Sequence, residues 1–322
     1  SLVRRNVFTT LASDGNREEY RLHPLFQGFL RRRLRSEIGK AGVAAEQIRI
    51  ARYFSSQGNW EQAARHFLAA EEFGETARLI AEKGQAWIAS GALTSLVALV
   101  DALPSEAIEQ NPRALTHRAE VARLRGEYDT AQSLLRRSMT LLRKLDDPEG
   151  EAEALHSLAT IARRRGNFDE AFSYLDGARR LAGEQSSTLI KCGNTRGLCL
   201  VSQGKWTEAE LEFRAALQLA EEQHNTHYAR LIVHNLGLPP MMRGDFGEAL
   251  RWLRRLLRNE RQTSPAPQEA IAHLNMARCH FYRGEFQDCE QRLDWSLELC
   301  QLFSLIALRA ETFETYANLH RE

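Results

Sequence analysis

The stretch "RRGNFDEAFSYL", residues 164–175, would be an ordinary piece of amphipathic helix if it occurred once. It returns as "SQGNWEQAARHF" from residue 56, "LRGEYDTAQSLL" from 124, "SQGKWTEAELEF" from 202, "MRGDFGEALRWL" from 242 and "YRGEFQDCEQRL" from 282. Aligned on their glycines, with a degenerate seventh copy, the frames centre on Gly58, Gly91, Gly126, Gly166, Gly204, Gly244 and Gly284. Successive glycines stand 33, 35, 40, 38, 40 and 40 residues apart. Two residues after each comes a large apolar group: Trp60, Leu93, Tyr128, Phe168, Trp206, Phe246, Phe286. Five after comes a mostly small one: Ala63, Leu96, Ala131, Ala171, Ala209, Ala249, Cys289. Nine after, a bulky one returns, from Phe67 to Leu293, and seven before the residue is always Ala or Gly.

Each column has a cause. Apolar residues spaced by three and four lie on one face of an α-helix. The glycine ends the preceding helix, where a left-handed residue is tolerated without a Cβ. Small residues on either side of the turn let two antiparallel helices approach. A unit of this size is a helix hairpin, and a hairpin that cannot bury its apolar face alone must stack on its neighbours. The expected fold is all-α: a right-handed superhelix of about seven hairpins over residues 41–322. The pattern resembles the tetratricopeptide repeat, with the longer period found in bacterial signalling ATPases. "LRAETFETYANLHRE", from residue 308, reads as the first helix of an eighth repeat.

Upstream, Val7 to Ala12 and Glu19 to His23 are β-prone runs separated by Ser13, Asp14, Gly15 and Asn16, which predicts a β-hairpin. Pro24 suits a first helical position, and Leu25, Phe26, Phe29, Leu30 and Leu34 form one apolar face opposite Arg31, Arg32, Arg33 and Arg35. "YRLHPLFQGFL", residues 20–30, resembles the end of the winged-helix domain of STAND-class signalling ATPases, in particular the large LuxR-type ATP-dependent transcriptional regulators. "LVDALPSEAIEQNPRAL", residues 99–115, resembles their first sensor repeats. The resemblance implies residues 1–40 as the C-terminal part of a winged helix, followed by a superhelical sensor. It also implies an ATPase module that precedes the winged helix in the same polypeptide, and a DNA-binding domain that follows the sensor. ATP or ADP is expected of such a full-length protein, and no cofactor of residues 1–322. By the same resemblance His23 matches a histidine that contacts the β-phosphate of bound ADP. Read from the residues alone, His23 is equally a histidine packed at a strand end.

Composition excludes several functions. The 322 residues carry 43 basic and 42 acidic side chains, a net +1, so no bulk attraction to nucleic acid or membrane is implied. Only five of the basic residues are Lys, so an arginine cluster here says little about phosphate. Cys192, Cys199, Cys279, Cys289 and Cys300 follow no zinc or redox spacing, and their odd number argues against a disulfide framework and for a cytoplasmic location. No apolar run reaches membrane-spanning length, and the opening without Met, inside a β-prone run, points to a piece of a longer polypeptide. No phosphate-binding P-loop, H-E-x-x-H, EF-hand or G-x-S-x-G motif occurs, so an enzyme is not expected.

The informative surface is the concave one, lined by the first helix of each repeat. Counting back from each glycine places Arg123, His156, Arg163, Asn194, His234, Asn235, Asn275, Arg278 and Tyr282 in or beside that groove, with Glu120, Glu153, Lys191 and Phe281. Asn and His both donate and accept hydrogen bonds, which suits an effector site, while a solvated helix face remains the plain alternative. Asn235 and Asn275 occupy the same repeat position, where tetratricopeptide proteins that bind peptides often hold the peptide backbone. An inter-repeat hydrogen bond is the other reading. Pro239 and Pro240 fall inside a first helix and must bend or end it. The expected function is a signal-sensing module of a transcriptional regulator that binds a small inducer, with a peptide- or protein-binding scaffold as the alternative.

Overall fold

The computed structural model describes residues 9–14, 17–258 and 267–321. The chain forms two compact units, Ser1–Leu134 and Leu135–Glu322.

In the first unit, strands β1 (Thr9–Asp14) and β2 (Arg17–Leu22) pair antiparallel, with Thr9 opposite Leu22 and Asp14 opposite Arg17. Of the predicted hairpin, Val7, Phe8, Gly15 and Asn16 lie outside the described residues, and Ser13 and Asp14 belong to the strand. Helix α1 (Pro24–Ser56) starts with its proline in the first turn, where a missing N–H costs nothing. Its helical path is broken once, at Gly39, with φ 69° and ψ 178°. Then follow α2 (Trp60–Ala69), α3 (Phe73–Ala89), α4 (Leu93–Asp101), the short α5 (Ser105–Gln110) and α6 (Arg113–Leu124). The degenerate copy around Gly91 is therefore a helix hairpin like the rest. Helix α7 (Tyr128–Lys144) carries the boundary between the units.

The second unit runs through α8 (Pro148–Arg164), α9 (Phe168–Leu181), α10 (Ser187–Ser202) and α11 (Trp206–Glu222). It continues with α12 (Thr226–Leu236), α13 (Leu238–Met242), α14 (Phe246–Arg258), α15 (Pro267–Tyr282), α16 (Phe286–Leu302) and α17 (Ile306–Leu319). All seven column glycines have positive φ, between 71° and 81°, a region costly for a residue with a Cβ. The turns that join one hairpin to the next also use a left-handed residue, but not glycine: Glu71, Asp146, His224 and Ser304 have φ of 52° to 62°.

The small column seven before each glycine is explained by close approach. A Cβ on Gly197 would lie 2.5 Å from the Phe213 ring, and one on Gly84 would lie 2.4 Å from His117. Bulky members of the other columns form the core: Phe213, Leu135, Leu175, Leu253 and Leu293 are almost wholly buried, each contributing about 1.5–3 kcal/mol. Helix α12 ends at Leu236, and the two prolines open α13 as a separate piece, so the bend required by Pro239 and Pro240 lies between Leu236 and Leu238.

Candidate functional site

The polar positions singled out above come together in the second unit, on the first helices of three successive hairpins: α10, α12 and α15. Asn235 Nδ2 donates to Asn194 Oδ1 at 2.7 Å. His234 Nδ1 donates to Asn235 Oδ1 at 3.1 Å, and its other nitrogen, Nε2, accepts from Asn275 Nδ2 at 3.1 Å. The two bonds fix the imidazole as the neutral Nδ1–H tautomer. All four residues are buried, at 4–8% exposure. Burial pushes the His234 pKa down, because the charged form has no water to solvate it. Asn194, His234, Asn235 and Asn275 are thus not open groove donors. They form a continuous row across three helices, and the row arises because the residue nine before each glycine reaches the residue ten before the glycine of the preceding hairpin.

His156 occupies the same repeat position as His234 but has a different environment. It is half-buried on α8, and its Nε2 bonds the Thr195 hydroxyl on α10 at 3.0 Å. Arg163 is likewise half-buried, seven residues further along α8. Around the row, Leu198, Val201 and Met241 are half-buried and pack on the core of α10–α14. Arg278 reaches Glu311 on α17 at 3.4 Å. Tyr282 is 68% exposed and stacks on Phe246, with ring centroids 5.3 Å apart.

Two predicted positions lie in the first unit. Arg123 is locked in a bidentate pair with Glu120 on the same helix, at 2.8 and 2.6 Å, and that hydrogen bonding raises its pKa. His23 is exposed and caps α1, its Nδ1 accepting from Leu25 N at 3.3 Å. That leaves Nε2 as the nitrogen available for any other contact.

Other features were not read from the sequence. A cavity of about 700 Å³ lies among α9, α10 and α11, lined by Arg179, Leu189, Gly193, Arg196, Glu212 and Leu219. Its cations are engaged: Arg179 pairs with Glu212 at 2.5 Å, and Arg196 pairs with Asp176 at 2.7 Å and covers the Phe172 ring. The cavity followed from no motif, because its residues come from three helices and share no repeat column. Among the described residues one group could hold a metal ion, formed by His280, Glu285 and Asp288. All five cysteines are buried thiols, and loss of solvent pushes Cys192 and Cys279 up to about 12 and Cys199 and Cys289 up to about 11. Burial and the raised values both disfavour the thiolate, the form that acts as a nucleophile. Among the described residues no helix is long and apolar enough to cross a membrane.

Comparison with known proteins agrees with this architecture. Residues 111–184 and 241–255 match tetratricopeptide-repeat family models, and residues 1–41 match the MalT winged helix domain. No catalytic family is among these matches. No curated protein matches the chain. Among solved structures, a STAND protein with a tetratricopeptide repeat sensor from Pyrococcus horikoshii is similar over 97% of this chain and 47% of its own, at 12% identity and a TM-score of 0.72. A tetratricopeptide repeat protein from Parabacteroides merdae is similar over 84% of this chain and 99% of its own, at 16% identity and a TM-score of 0.59. The Rap conjugation gene regulator of plasmid pLS20, solved with the Phr* peptide, is similar over 67% of this chain and 61% of its own, at 16% identity and a TM-score of 0.58. These likenesses show a fold of tetratricopeptide-like helix hairpins, preceded by a segment that matches a winged helix model.

Proposed function

We propose that the chain is the sensor region of a STAND-type, LuxR-like transcriptional regulator, with its hairpins stacked in a right-handed superhelix behind the end of a winged helix at residues 1–40. The observation that carries this reading is the order of parts: a match to the MalT winged helix over residues 1–41, followed directly by the repeats. A free-standing adaptor has no need of the first. The likeness to the STAND sensor protein supports it, since it spans both parts. In the full-length cytoplasmic regulator an ATPase module would bind ATP or ADP, His23 would contact the ADP phosphate through Nε2, and DNA would be bound by another domain.

The effector, a small inducer or a peptide, would enter the groove beside α8 and α10, where His156 and Arg163 are half-buried and the neighbouring row of amides is closed. Thermal-shift screening of metabolite and short-peptide libraries, then titration calorimetry on His156→Ala and Arg163→Ala, tests the site. Each substitution should weaken the selected ligand roughly tenfold, the worth of about one charge-assisted hydrogen bond. Equal affinity in wild type and both variants moves the site elsewhere. The alternative, a protein-interaction scaffold, is supported by the likeness to Rap, which is solved with a peptide. It is favoured if only peptides are selected and nucleotide retention by the full-length protein does not respond to them.

A further inference from the structure

The residue four before each turn glycine packs into the hairpin, and six of the seven copies make it apolar: Phe54, Trp87, Ala122, Ala162, Leu200 and Pro240. The seventh is His280. It is 3% exposed, so the last turn of α15 buries an imidazole where its siblings bury hydrocarbon. Packing gives no reason for that change, since leucine fills the same position at 200.

What surrounds the imidazole supplies a reason. Its Nδ1 lies 2.6 Å from Glu285 Oε2. Asp288, on the first turn of α16, brings a carboxylate oxygen into the same space, the three ligand atoms lying within 4.8 Å of one another. Glu285 is the N-cap residue of α16, yet its side chain makes no cap hydrogen bond. It turns to His280 instead. Arg283 pairs with the other oxygen, Oε1, at 2.8 Å, so the carboxylate is oriented with Oε2 toward the imidazole.

We propose that His280, Glu285 and Asp288 form a binding site for a divalent transition cation of the zinc class, clasping the turn between α15 and α16. One imidazole nitrogen with two carboxylates is a donor set for borderline ions such as Zn²⁺ or Co²⁺; Mg²⁺ and Ca²⁺ prefer oxygen throughout. The ion takes the place of the proton between Nδ1 and Oε2, and that proton moves to Nε2. Ligand atoms around a tetrahedral zinc stand about 3.3 Å apart, so Nδ1 and Oε2, now 2.6 Å apart, must part by about 0.7 Å, and any pair in the group wider than about 3.3 Å, up to 4.8 Å, must close. Three ligands from one turn leave at least one coordination position for water or a partner's donor. The guanidinium of Arg283 opposes the ion's charge and keeps the site weaker than a structural zinc centre.

The test is titration of the chain with CoCl₂ and ZnCl₂, followed by calorimetry and by the visible spectrum of bound Co²⁺. One equivalent should bind at sub-millimolar concentration, with d–d bands and no thiolate charge-transfer band, which keeps the five cysteines out of the site. Asp288→Asn is the deciding variant, because Asp288 is exposed and the His280–Glu285 hydrogen bond does not need it. It should fold normally and weaken binding at least about tenfold. His280→Leu restores the side chain of the Leu200 copy and should abolish binding. Equal affinity in wild type and Asp288→Asn overturns the proposal and leaves a plain ion pair. So does a thiolate band, or the absence of any binding at millimolar metal.

Discussion

His156 and His234 stand at the same place in two repeats, ten residues before the turn glycine, and their surroundings share almost nothing. His156 is half-buried and bonds one hydroxyl on the next hairpin. His234 is 7% exposed and holds an asparagine on each ring nitrogen, in a helix that ends two residues later, ahead of Pro239 and Pro240. One repeat position therefore serves two purposes. Where the neighbouring columns supply asparagines, the polar groups close on one another and become framework. Where they supply serine and threonine, as with Ser157 and Thr195, an imidazole stays partly open to solvent. The distinction separates polar groups that tie three hairpins together from one that does not close on its neighbours.

Substituting inside the row gives the largest effect. Asn235→Leu keeps the volume and strands Asn194 Oδ1 and the His234 Nδ1–H in a buried place. At about 1–3 kcal/mol for each unsatisfied group, urea denaturation should show a loss of about 3 kcal/mol. His156→Ala should lose less than about 1 kcal/mol in the same measurement. Comparable losses would mean that the two histidines are not differently used.

A smaller effect comes from crowding beside the row. Gly197→Ala places a methyl 2.5 Å from the Phe213 ring on α11 and should cost about 1–3 kcal/mol. Gly166→Ala should cost only about 1 kcal/mol, because its added Cβ meets nothing within 4 Å and only the backbone conformation, φ 77°, is strained. Chemical denaturation of the pair separates space from conformation.

The gentlest probe is pH. Burial, with Arg292 nearby, pushes His273 down to about 4, and burial pushes His234 in the same direction. Both bind a proton more readily when unfolded. Their contribution to stability is complete above the unfolded value near 6.5 and declines as pH falls toward about 4. The slope is at most about 1.4 kcal/mol per pH unit for each group. Unfolding followed at pH 7 and pH 5 should show the decline, and His273→Gln should flatten it.

The seven turns were legible in the sequence because a left-handed backbone admits glycine at so much lower cost than any other residue that the letter itself marks the geometry. The junctions between hairpins have the same backbone conformation at Glu71, Asp146, His224 and Ser304 and left no mark, since there the packing of long helices outweighs a strain of about 1 kcal/mol. Asn235 and Asn275 stood out by position, but whether they face a ligand or one another depends on how consecutive hairpins superpose. That is a property of residues about 40 apart, which no local window contains. The two prolines gave the end of α12, because a ring without an N–H acts on its own helix. His280 could have been found: it is the one polar residue in an otherwise apolar column.

The row through α10, α12 and α15 also has a head and a tail. Asn275 gives a hydrogen to His234, His234 gives one to Asn235, and Asn235 gives one to Asn194, so the donors run one way, from α15 through α12 to α10. If one amide turned over, like groups would face each other at once: two hydrogens at one end or two lone pairs at the other. The orientations of three asparagines and the tautomer of one histidine are therefore a single choice, made once for three hairpins. Moving any one of these helices alone means breaking the whole sentence, not a single word of it.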